Sequence, residues 1–321
     1  MDTGAFIGGI EQAVQRIYTV ARRTPCDRSA YLSGRCGAEV WLKLENLQYT
    51  GSFKLRGAAN RLMTMDADQR ARGCVVASSG NHGIACAHAM ARLGIDGEIF
   101  VPENVNPAKV EAIRLQGGRV SVRGRESGET ERLAREHAAR SGMTYVSPYN
   151  DVDVVCGQGT VGYELLLTLP AVDTVFVAVG GGGLIGGIGA WLKHHRPQVR
   201  IIGCLPENSA VMARSVAAGH VVDLECRPTL SDGTAGNMDH DAITFPLCRA
   251  LVDRYVEVSE AEIAAALRLA IDHEHMLMEG AAGVALAGLL KCANDETGTT
   301  RAVVICGANI DSATLHRALG D

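Results

Sequence analysis

The chain has 321 residues, of which 47% are apolar, 21% charged and 4% aromatic, and its formal net charge is -5. This balance is typical of a globular protein of roughly two domains. It contains no basic stripe with interleaved aromatic residues, so we expect no nucleic-acid partner. The ten cysteines form no Cys-x-x-Cys pair, and we interpret them as reduced thiols of a cytoplasmic protein. The first ten residues lack the basic region of a signal peptide.

The first half of the chain predicts helices around one small parallel sheet. An amphipathic helix over residues 10–21 is followed by a strand near Val40 and a helix from Lys54 to about Met65. Strands are then predicted at 74–77, 98–101, 119–122 and 145–146, with helices at 82–93, 107–115 and 128–140 between them. Such strict alternation indicates a parallel sheet with both faces covered.

The second half predicts another α/β series. Helices are expected at 156–169, 184–194, 209–218, 260–273 and 281–293, strands at 174–179, 199–204 and 302–306, and irregular structure at 222–241. The uncharged stretch 174–192 is long enough to span a bilayer, but its seven glycines favour a buried strand, a loop and a helix. We therefore expect no membrane association and two α/β lobes with a ligand cleft between them.

One lysine occupies an unusual position. Thr50 and Ser52 are candidate N-caps for the helix that would contain Lys54 in its first turn. A cation is disfavoured at that end of the helix dipole. The conflict indicates a chemical role for Lys54, although a solvated surface lysine is an equally weighted alternative at this point.

Two glycine-rich turns join a predicted strand to a predicted helix and are suited to anions. The first contains Ser78, Ser79, Gly80, Asn81 and His82, and the second contains Gly180, Gly181, Gly182, Gly183 and Leu184. Unpaired N–H groups at a helix start bind anions, and glycine lets a ligand approach the backbone. The simpler interpretations are an ordinary serine-capped helix for the first turn and a tight turn for the second.

The second turn also satisfies a dinucleotide fingerprint. Gly181, Gly183 and Gly186 have the required spacing, and Glu207 follows about twenty residues later. A nicotinamide-dependent dehydrogenase is therefore a competing hypothesis. It gives no role to Lys54 or to the first turn, whereas a lysine-bound cofactor with a phosphate group uses the lysine and both turns.

Taken together, these motifs resemble the fold-type II pyridoxal-phosphate enzymes, specifically the threonine/serine dehydratase and serine racemase group. The matching segments are 51–58, 78–83, 157–160, 180–184, 279–283 and 306–309, in the order of the family. The resemblance implies a two-lobed α/β fold like that of the tryptophan synthase β subunit. Residues 1–70 and 150–321 would form the large cofactor-binding domain, and residues 71–149 the small domain.

The resemblance also implies roles for individual residues. Lys54 would be bonded to pyridoxal 5'-phosphate and act as the catalytic base, with Phe53 on one ring face and Gly233 near the other. Asn81 would bond the ring hydroxyl, and Cys306 would face the ring nitrogen with Glu279 nearby. Gly180, Gly181, Gly182, Gly183 and Leu184 would hold the phosphate. The substrate carboxylate would be bound by Ser78, Ser79, Gly80, Asn81 and His82.

The implied reaction is β-elimination of a β-hydroxy amino acid such as L-threonine or L-serine to a 2-oxo acid and ammonia. Ser79 on the opposite ring face would permit slow racemisation. A homodimer is implied, and Leu205, Ser209 and Val211 replace the acidic metal ligands of some relatives, so no metal is expected. Feedback control through a C-terminal regulatory domain is not expected either.

The substrate's side chain is less well defined by the sequence. Residues 231–236 and 243–248 are most similar to the hydroxyectoine-utilisation dehydratases, which would make a hydroxylated ectoine derivative the substrate. Tyr149, Asn150 and the loop 234–240 are candidates for the pocket that binds this side chain. A non-catalytic cofactor-binding protein is a third and weaker alternative.

Overall fold

The computed structural model describes residues 4–295 and 298–320. In chain order the strands of this part are β1 (Cys26–Ser29), β2 (Glu39–Lys43), β3 (Cys74–Ala77), β4 (Gly97–Val101), β5 (Val120–Val122), β6 (Thr144–Tyr145), β7 (Thr174–Ala178), β8 (Arg200–Pro206), β9 (Arg254–Val258) and β10 (Thr300–Val304).

The α-helices of the same part are α1 (Gly4–Arg16), α2 (Ala30–Cys36), α3 (Lys54–Met63), α4 (Ala67–Arg72), α5 (Asn81–Leu93), α6 (Pro107–Leu115), α7 (Ser127–Ser141), α8 (Val152–Thr168), α9 (Gly183–His195), α10 (Val211–Ala218), α11 (Thr244–Leu251), α12 (Glu260–Glu274), α13 (Gly280–Lys291) and α14 (Ser312–Leu319). Among the described residues, no helix is both long and apolar enough to cross a lipid bilayer. The uncharged stretch 174–192 folds as a strand, a turn and a helix, as predicted.

Two sheets organise the molecule. One has four parallel strands in the order β5-β4-β3-β6, and the other has six strands in the order β1-β2-β10-β7-β8-β9. In the larger sheet only β1 runs antiparallel, pairing Cys26 with Lys43. The predicted α/β class with mostly parallel sheets is therefore confirmed. Each sheet falls within one of the expected domains, while the exact domain boundaries stay a prediction.

The carboxyl ends of four strands lead into the segments that the sequence singled out. Strand β3 leads to residues 78–80 and helix α5, and strand β7 leads to residues 179–182 and helix α9. Strand β2 leads to Lys54 through residues 44–53, and β10 leads to Cys306. In open α/β sheets, ligands bind at the carboxyl ends of the strands. The topology thus brings all these segments to one region.

Helix α3, which begins at Lys54, is anchored by a buried ionic cluster. Arg56 is fully buried and donates to Glu45 Oε2 and Glu164 Oε1, each at 2.7 Å. Lys43 Nζ lies 2.5 Å from Glu164 Oε2, and Thr24 Oγ1 donates to Glu45. Two cations and two carboxylates therefore saturate one another, which is what buried charges require.

The predicted helix caps at Thr50 and Ser52 are wrong. The residue before α3 is Phe53, whose backbone is already helical and which makes no capping side-chain bond. The preceding turn pairs instead with the end of β10, because Ser52 bridges Gly307 and Phe53 N–H donates to Cys306 O at 3.0 Å. Hydrogen bonds to the segment after β10 therefore hold the turn before α3, in place of the predicted side-chain cap. Six elements of the described chain were not predicted from the sequence: β1, β9, α2, α4, α11 and α14.

Candidate active site

Lys54 is aimed by a turn that is fastened to the strand β10. Besides the Phe53–Cys306 bond, Ala308 N–H donates to Gly51 O at 2.9 Å. Gly51 has φ +72°, a conformation that favours glycine. A Cβ there would also lie 2.7 Å from Asn309 Oδ1. The turn is therefore fixed on both sides, and Lys54 follows it as the first residue of α3.

The amine of Lys54 lies in a site that weakens its charge. Its Nζ donates to the carbonyl oxygen of Pro148 at 2.8 Å and lies 5.2 Å from the ring centroid of Phe53. Burial lowers the pKa of Lys54 to about 8, although the charges of Cys86, Cys306 and Glu279 act in the opposite direction. A lysine with a lowered pKa can serve as a nucleophile or a base near neutral pH.

The first glycine-rich turn presents backbone donors. Helix α5 begins at Asn81 after Gly80, which provides no capping side chain, and Gly80 N–H donates to Ser78 Oγ at 3.2 Å. The first N–H groups of a helix have no partner within it, so this end is suited to an anion. Ser78 and Ser79 are partly exposed here.

The imidazole of His82 is not available to a ligand in the same way. His82 is buried, and its Nε2 lies 2.9 Å from the carbonyl oxygen of Val146. Burial lowers the pKa of His82 to about 3, and the charge of Lys54 adds to this effect. His82 is therefore a neutral side chain that joins α5 to the segment after β6, and only its backbone N–H can contribute to the anion site.

The glycines of the second turn are packed against protein atoms. A Cβ on Gly181 would lie 2.5 Å from Cγ of Tyr149, and one on Gly180 would lie 2.9 Å from Cα of Thr234. Gly182 has φ +82° and precedes α9 without a capping side chain. The glycines of this turn thus allow neighbouring segments to pack closely against its backbone. They also leave the N–H groups at the helix start accessible to an anion.

Three side chains from separate segments form a hydrogen-bonded ring near these turns. Asn81 Nδ2 donates to Glu279 at 2.8 and 2.9 Å from its two oxygens, and Asn309 Nδ2 donates to Asn81 Oδ1 at 2.6 Å. Asn309 N–H closes the ring by donating to Glu279 Oε2 at 3.1 Å. Burial raises the pKa of Glu279 to about 7, although the Asn81 bond favours the ionised form.

Cys306 and Gly233 border this ring. Cys306 is buried, and its burial raises the pKa of the thiol, an effect that the charge of Glu279 reinforces. A Cβ on Gly233 would lie 3.7 Å from Glu279 Oε1. The structure therefore brings Lys54, Asn81, Glu279, Cys306 and Gly233 into one neighbourhood.

Comparisons with known proteins identify the family. The model of the pyridoxal-phosphate-dependent enzymes matches residues 17–307. The chain belongs to this family. It is 38% identical to the L-threonine ammonia-lyase of Thermotoga maritima over 97% of this chain and 77% of that protein. It superposes on threonine deaminase isoform 2 of Solanum lycopersicum with a TM-score of 0.94 and 32% identity, over 99% and 94% of the two chains. Maize serine racemase gives a TM-score of 0.92 and 31% identity, over 96% and 95%.

Family membership confirms the predicted cofactor, the fold-type II class and a lyase of the threonine dehydratase group. It favours these over the nicotinamide dehydrogenase hypothesis, which rested on the spacing of Gly181, Gly183 and Gly186 and on Glu207. The hydroxyectoine subgroup stays a prediction. So does the absence of a metal, although no group of three or more metal-ligating side chains occurs in the described ranges.

The residues present fit pyridoxal phosphate. The site offers an amine with a lowered pKa, two helix starts without side-chain caps, and a side-chain amide donor at Asn81. The hydroxyl of Ser52, two residues before Lys54, is buried and has no hydrogen-bond partner among the described residues. An unpartnered buried hydroxyl beside this site is consistent with a ligand that supplies the missing bond.

Of the segment 147–150, only Tyr149 and Asn150 were predicted, as candidates for the pocket that binds the substrate's side chain. Pro148 accepts the Lys54 bond, and the ring of Tyr149 packs on Gly181 and Gly183. Asp239 N–H donates to Tyr149 OH at 2.8 Å, and the Asp239 carboxylate accepts from Asn150 and from Arg135 of α7, each at 2.9 Å. Asp239 lies in the loop 234–240, which was predicted as part of the same pocket, but its contact with Arg135 was not predicted, because it joins segments that are distant in the chain.

Proposed function

We propose that this protein is a pyridoxal-phosphate-dependent lyase that converts a β-hydroxy amino acid, such as L-threonine or L-serine, into a 2-oxo acid and ammonia. The observation that carries the proposal is Lys54, whose amine lies beside Phe53 with a pKa lowered to about 8. The similarity to proteins named threonine ammonia-lyase and threonine deaminase supports this choice of substrate.

The binding roles follow from the positions of the groups. Lys54 would hold the cofactor covalently, with Phe53 beside its ring. The backbone N–H groups of residues 180–184 would bind its phosphate, and Asn81 would donate to its ring hydroxyl. Cys306 would face its ring nitrogen, with Glu279 and Gly233 close by. Because burial keeps the Cys306 thiol protonated, it would not act there as a carboxylate would.

When bound, pyridoxal phosphate draws electron density away from the substrate's Cα and makes the proton on that carbon acidic. Lys54 Nζ, released when the substrate's amine takes its place on the cofactor and neutral above a pH of about 8, would then remove this proton as a general base. The same amine then delivers a proton to the β-hydroxyl, which leaves as water. Elimination followed by hydrolysis yields the 2-oxo acid and ammonia.

The first glycine-rich turn would bind and orient the substrate. The N–H groups at the start of α5, from Asn81 and His82, would donate hydrogen bonds to the substrate carboxylate, together with Ser78, Ser79 and Gly80. Ser79, which is partly exposed, would lie on the opposite side of the substrate from Lys54. Slow racemisation, with Ser79 Oγ exchanging the second proton, is the side activity that we propose.

A substrate panel tests the proposal. Threonine, serine, 3-hydroxyaspartate and hydroxylated ectoine derivatives would be supplied to the cofactor-loaded protein, and 2-oxo acid and ammonia would be measured. We expect turnover of at least one of these compounds and none by the Lys54→Ala variant. A loaded protein that is inert towards the whole panel would contradict the proposed reaction and favour a non-catalytic cofactor-binding role.

We also propose a cytoplasmic homodimer with the domain division given above. The ten cysteines are all free, which supports a reducing compartment. Tyr49 and Leu277 are 56% and 45% exposed, and exposed large apolar side chains support a self-association surface. Sedimentation analysis of the cofactor-loaded protein tests the dimer, and a monomer at micromolar concentration would contradict it.

A further inference from the structure

A hydrogen-bonded chain of fixed polarity leads from the turn before Lys54 to the cofactor site. It starts at the backbone carbonyl of Thr50, which can only accept a hydrogen bond. Asn309 Nδ2 donates to this carbonyl at 2.9 Å and also donates to Asn81 Oδ1 at 2.6 Å. Both protons of the Asn309 amide are thereby used, and its orientation is determined by the backbone.

The orientation of Asn81 follows from that of Asn309. Since Oδ1 of Asn81 accepts from Asn309, its Nδ2 must face Glu279 and the interior of the site. Nδ2 lies 2.8 and 2.9 Å from the two oxygens of the single Glu279 carboxyl group, so one proton can serve both oxygens. The amide has two such protons, so the second is free to donate to a ligand.

Glu279 alone would not fix this orientation. A carboxylate only accepts hydrogen bonds, but a protonated carboxyl can also donate and would tolerate the reversed amide. Burial places the pKa of Glu279 at about 7, so both forms occur near neutral pH. The backbone-anchored Asn309 is therefore the group that keeps Asn81 a donor in either state.

We propose that Asn309 is a positioning residue that fixes the amide of Asn81 so that Asn81 donates, rather than accepts, a hydrogen bond to the cofactor's ring oxygen. The proposal rests on the proposed function for the identity of that ligand. The role of Asn309 goes beyond the proposed function, because this residue, in the segment after β10, would determine whether the site presents a hydrogen-bond donor or an acceptor to the ligand. Loss of Asn309 would let the Asn81 amide reverse and place two oxygens against each other.

Cofactor binding by the apo-protein tests this, without reference to turnover. The dissociation constant of pyridoxal 5'-phosphate would be measured by absorbance titration for the unsubstituted protein, Asn81→Ala, Asn309→Ala and the double variant. We expect Asn309→Ala to weaken binding about tenfold, the effect of losing one hydrogen bond to a charged oxygen. In the Asn81→Ala background the same change should have less than about a twofold effect. An equal loss in both backgrounds would show that Asn309 does not act through Asn81, and would overturn the proposal.

Asn309→Asp keeps the shape of the side chain and provides a second test. Its carboxylate would face two acceptors, Thr50 O and Asn81 Oδ1, so we expect it to weaken binding more than Asn309→Ala does. Binding as tight as that of the unsubstituted protein would also overturn the proposal. Asn208→Asp is a matched control, because the Asn208 amide donates to Pro228 O at 2.7 Å and to Glu260 at 3.3 Å. It should leave the dissociation constant unchanged.

The result separates this inference from the proposed reaction. A protein that binds the cofactor with the expected coupling, but forms no 2-oxo acid, would contradict the proposed function and leave the role of Asn309 intact. A protein that forms the 2-oxo acid but shows no coupling between Asn309 and Asn81 would support the proposed function and contradict the role of Asn309.

Discussion

Helix α3 places two ionisable groups of different kinds, the half-buried Lys54 and the fully buried Arg56, within one turn of each other. Arg56 meets Glu45 and Glu164, so every charge in its cluster has an opposite partner. Lys54 has only a carbonyl oxygen as its hydrogen-bond acceptor in the described part of the chain, and Glu279 is bonded to amides. Burial alone would raise the pKa of Glu164, but Arg56 and Lys43 lower it to about 2, whereas that of Glu279 rises to about 7. The charges of the Arg56 cluster, each paired with an opposite charge, anchor the helix. Lys54 and Glu279, which have no hydrogen bond to an opposite charge, remain available for proton transfer.

The largest effect is expected from a substitution of Lys54, one of the groups without an oppositely charged partner. Lys54→Ala removes the base and the covalent attachment, and we expect the rate of 2-oxo acid formation to fall by at least about a thousandfold. Because Lys54 has no opposite charge bonded to it, the thermal midpoint of the apo-protein should not fall. Activity within tenfold of the original would mean that another residue is the base.

Substitution of Arg56, in the cluster of paired charges, should lower the stability of the protein. Arg56→Leu would leave the carboxylates of Glu45 and Glu164 buried with one cation between them, at a cost of about 3–5 kcal/mol in the free energy of unfolding. Urea denaturation of the apo-protein measures this. Arg56→Lys, which keeps the charge but loses the paired bonds, should be intermediate. A change below about 1 kcal/mol would show that the cluster does not anchor α3.

The two carboxyls should give opposite pH dependences in the apo-protein. The stability contributed by Glu164, whose ordinary pKa is 4.5, is present above that value and is lost as the pH falls towards about 2. Glu279 binds its proton more tightly in the folded state, so its own contribution to stability falls as the pH rises from about 4.5 to 7. His82, whose pKa is lowered from 6.5 to about 3, makes a separate contribution that rises over about pH 3 to 6.5, so the Glu279 contribution is read from the difference between variants. Each effect is about 3 kcal/mol at most.

Glu279→Gln isolates the second effect. We expect this variant to lose the fall in unfolding free energy between pH 4.5 and 7, and to keep the acid destabilisation assigned to Glu164. Lys54, with a pKa lowered from 10.5 to about 8, should make stability rise from pH 8 to 10.5. If the Gln variant keeps the original slope, burial does not perturb Glu279 as described.

A smaller effect is expected at the glycine-rich turn. Gly181→Ala places a methyl group against the ring of Tyr149, where no room exists without a shift of the backbone. We expect cofactor affinity to fall about tenfold, because the shift displaces the N–H groups that would bind the phosphate. Adding Tyr149→Ala should recover part of the loss. An additive loss would place the defect elsewhere in the turn.

The sequence predicted those parts of the site that depend on local pattern. Each glycine-rich turn stands between a buried apolar strand and a helix, so β3, α5, β7 and α9 could be located from the chain alone. The helix start at Lys54 was predicted, but the caps at Thr50 and Ser52 were not correct, because the turn before α3 is held by tertiary pairing: Phe53 N–H donates to Cys306, more than 250 residues away in the chain.

The contacts that were missed share the same origin. The role of Asn309 depends on Thr50, Asn81 and Glu279 meeting in space, and the role of Tyr149 depends on its ring filling the space left by Gly181 and Gly183. These contacts join residues that are distant in the chain, so no local sequence pattern predicts them. The pairing of Arg56 with Glu45 and Glu164 is of the same kind, since a charged residue beside an active lysine carries no local sign that it is buried.

The most direct measurement of the central contrast is borohydride reduction of the purified, cofactor-loaded protein followed by peptide mass spectrometry. We expect a yellow protein in which the reduced cofactor is found on the peptide containing Lys54. Lys43, which is buried and paired with Glu164, should carry none. A colourless protein that binds no pyridoxal phosphate, or a label on any other lysine, would contradict the assignment of Lys54 as the reactive group.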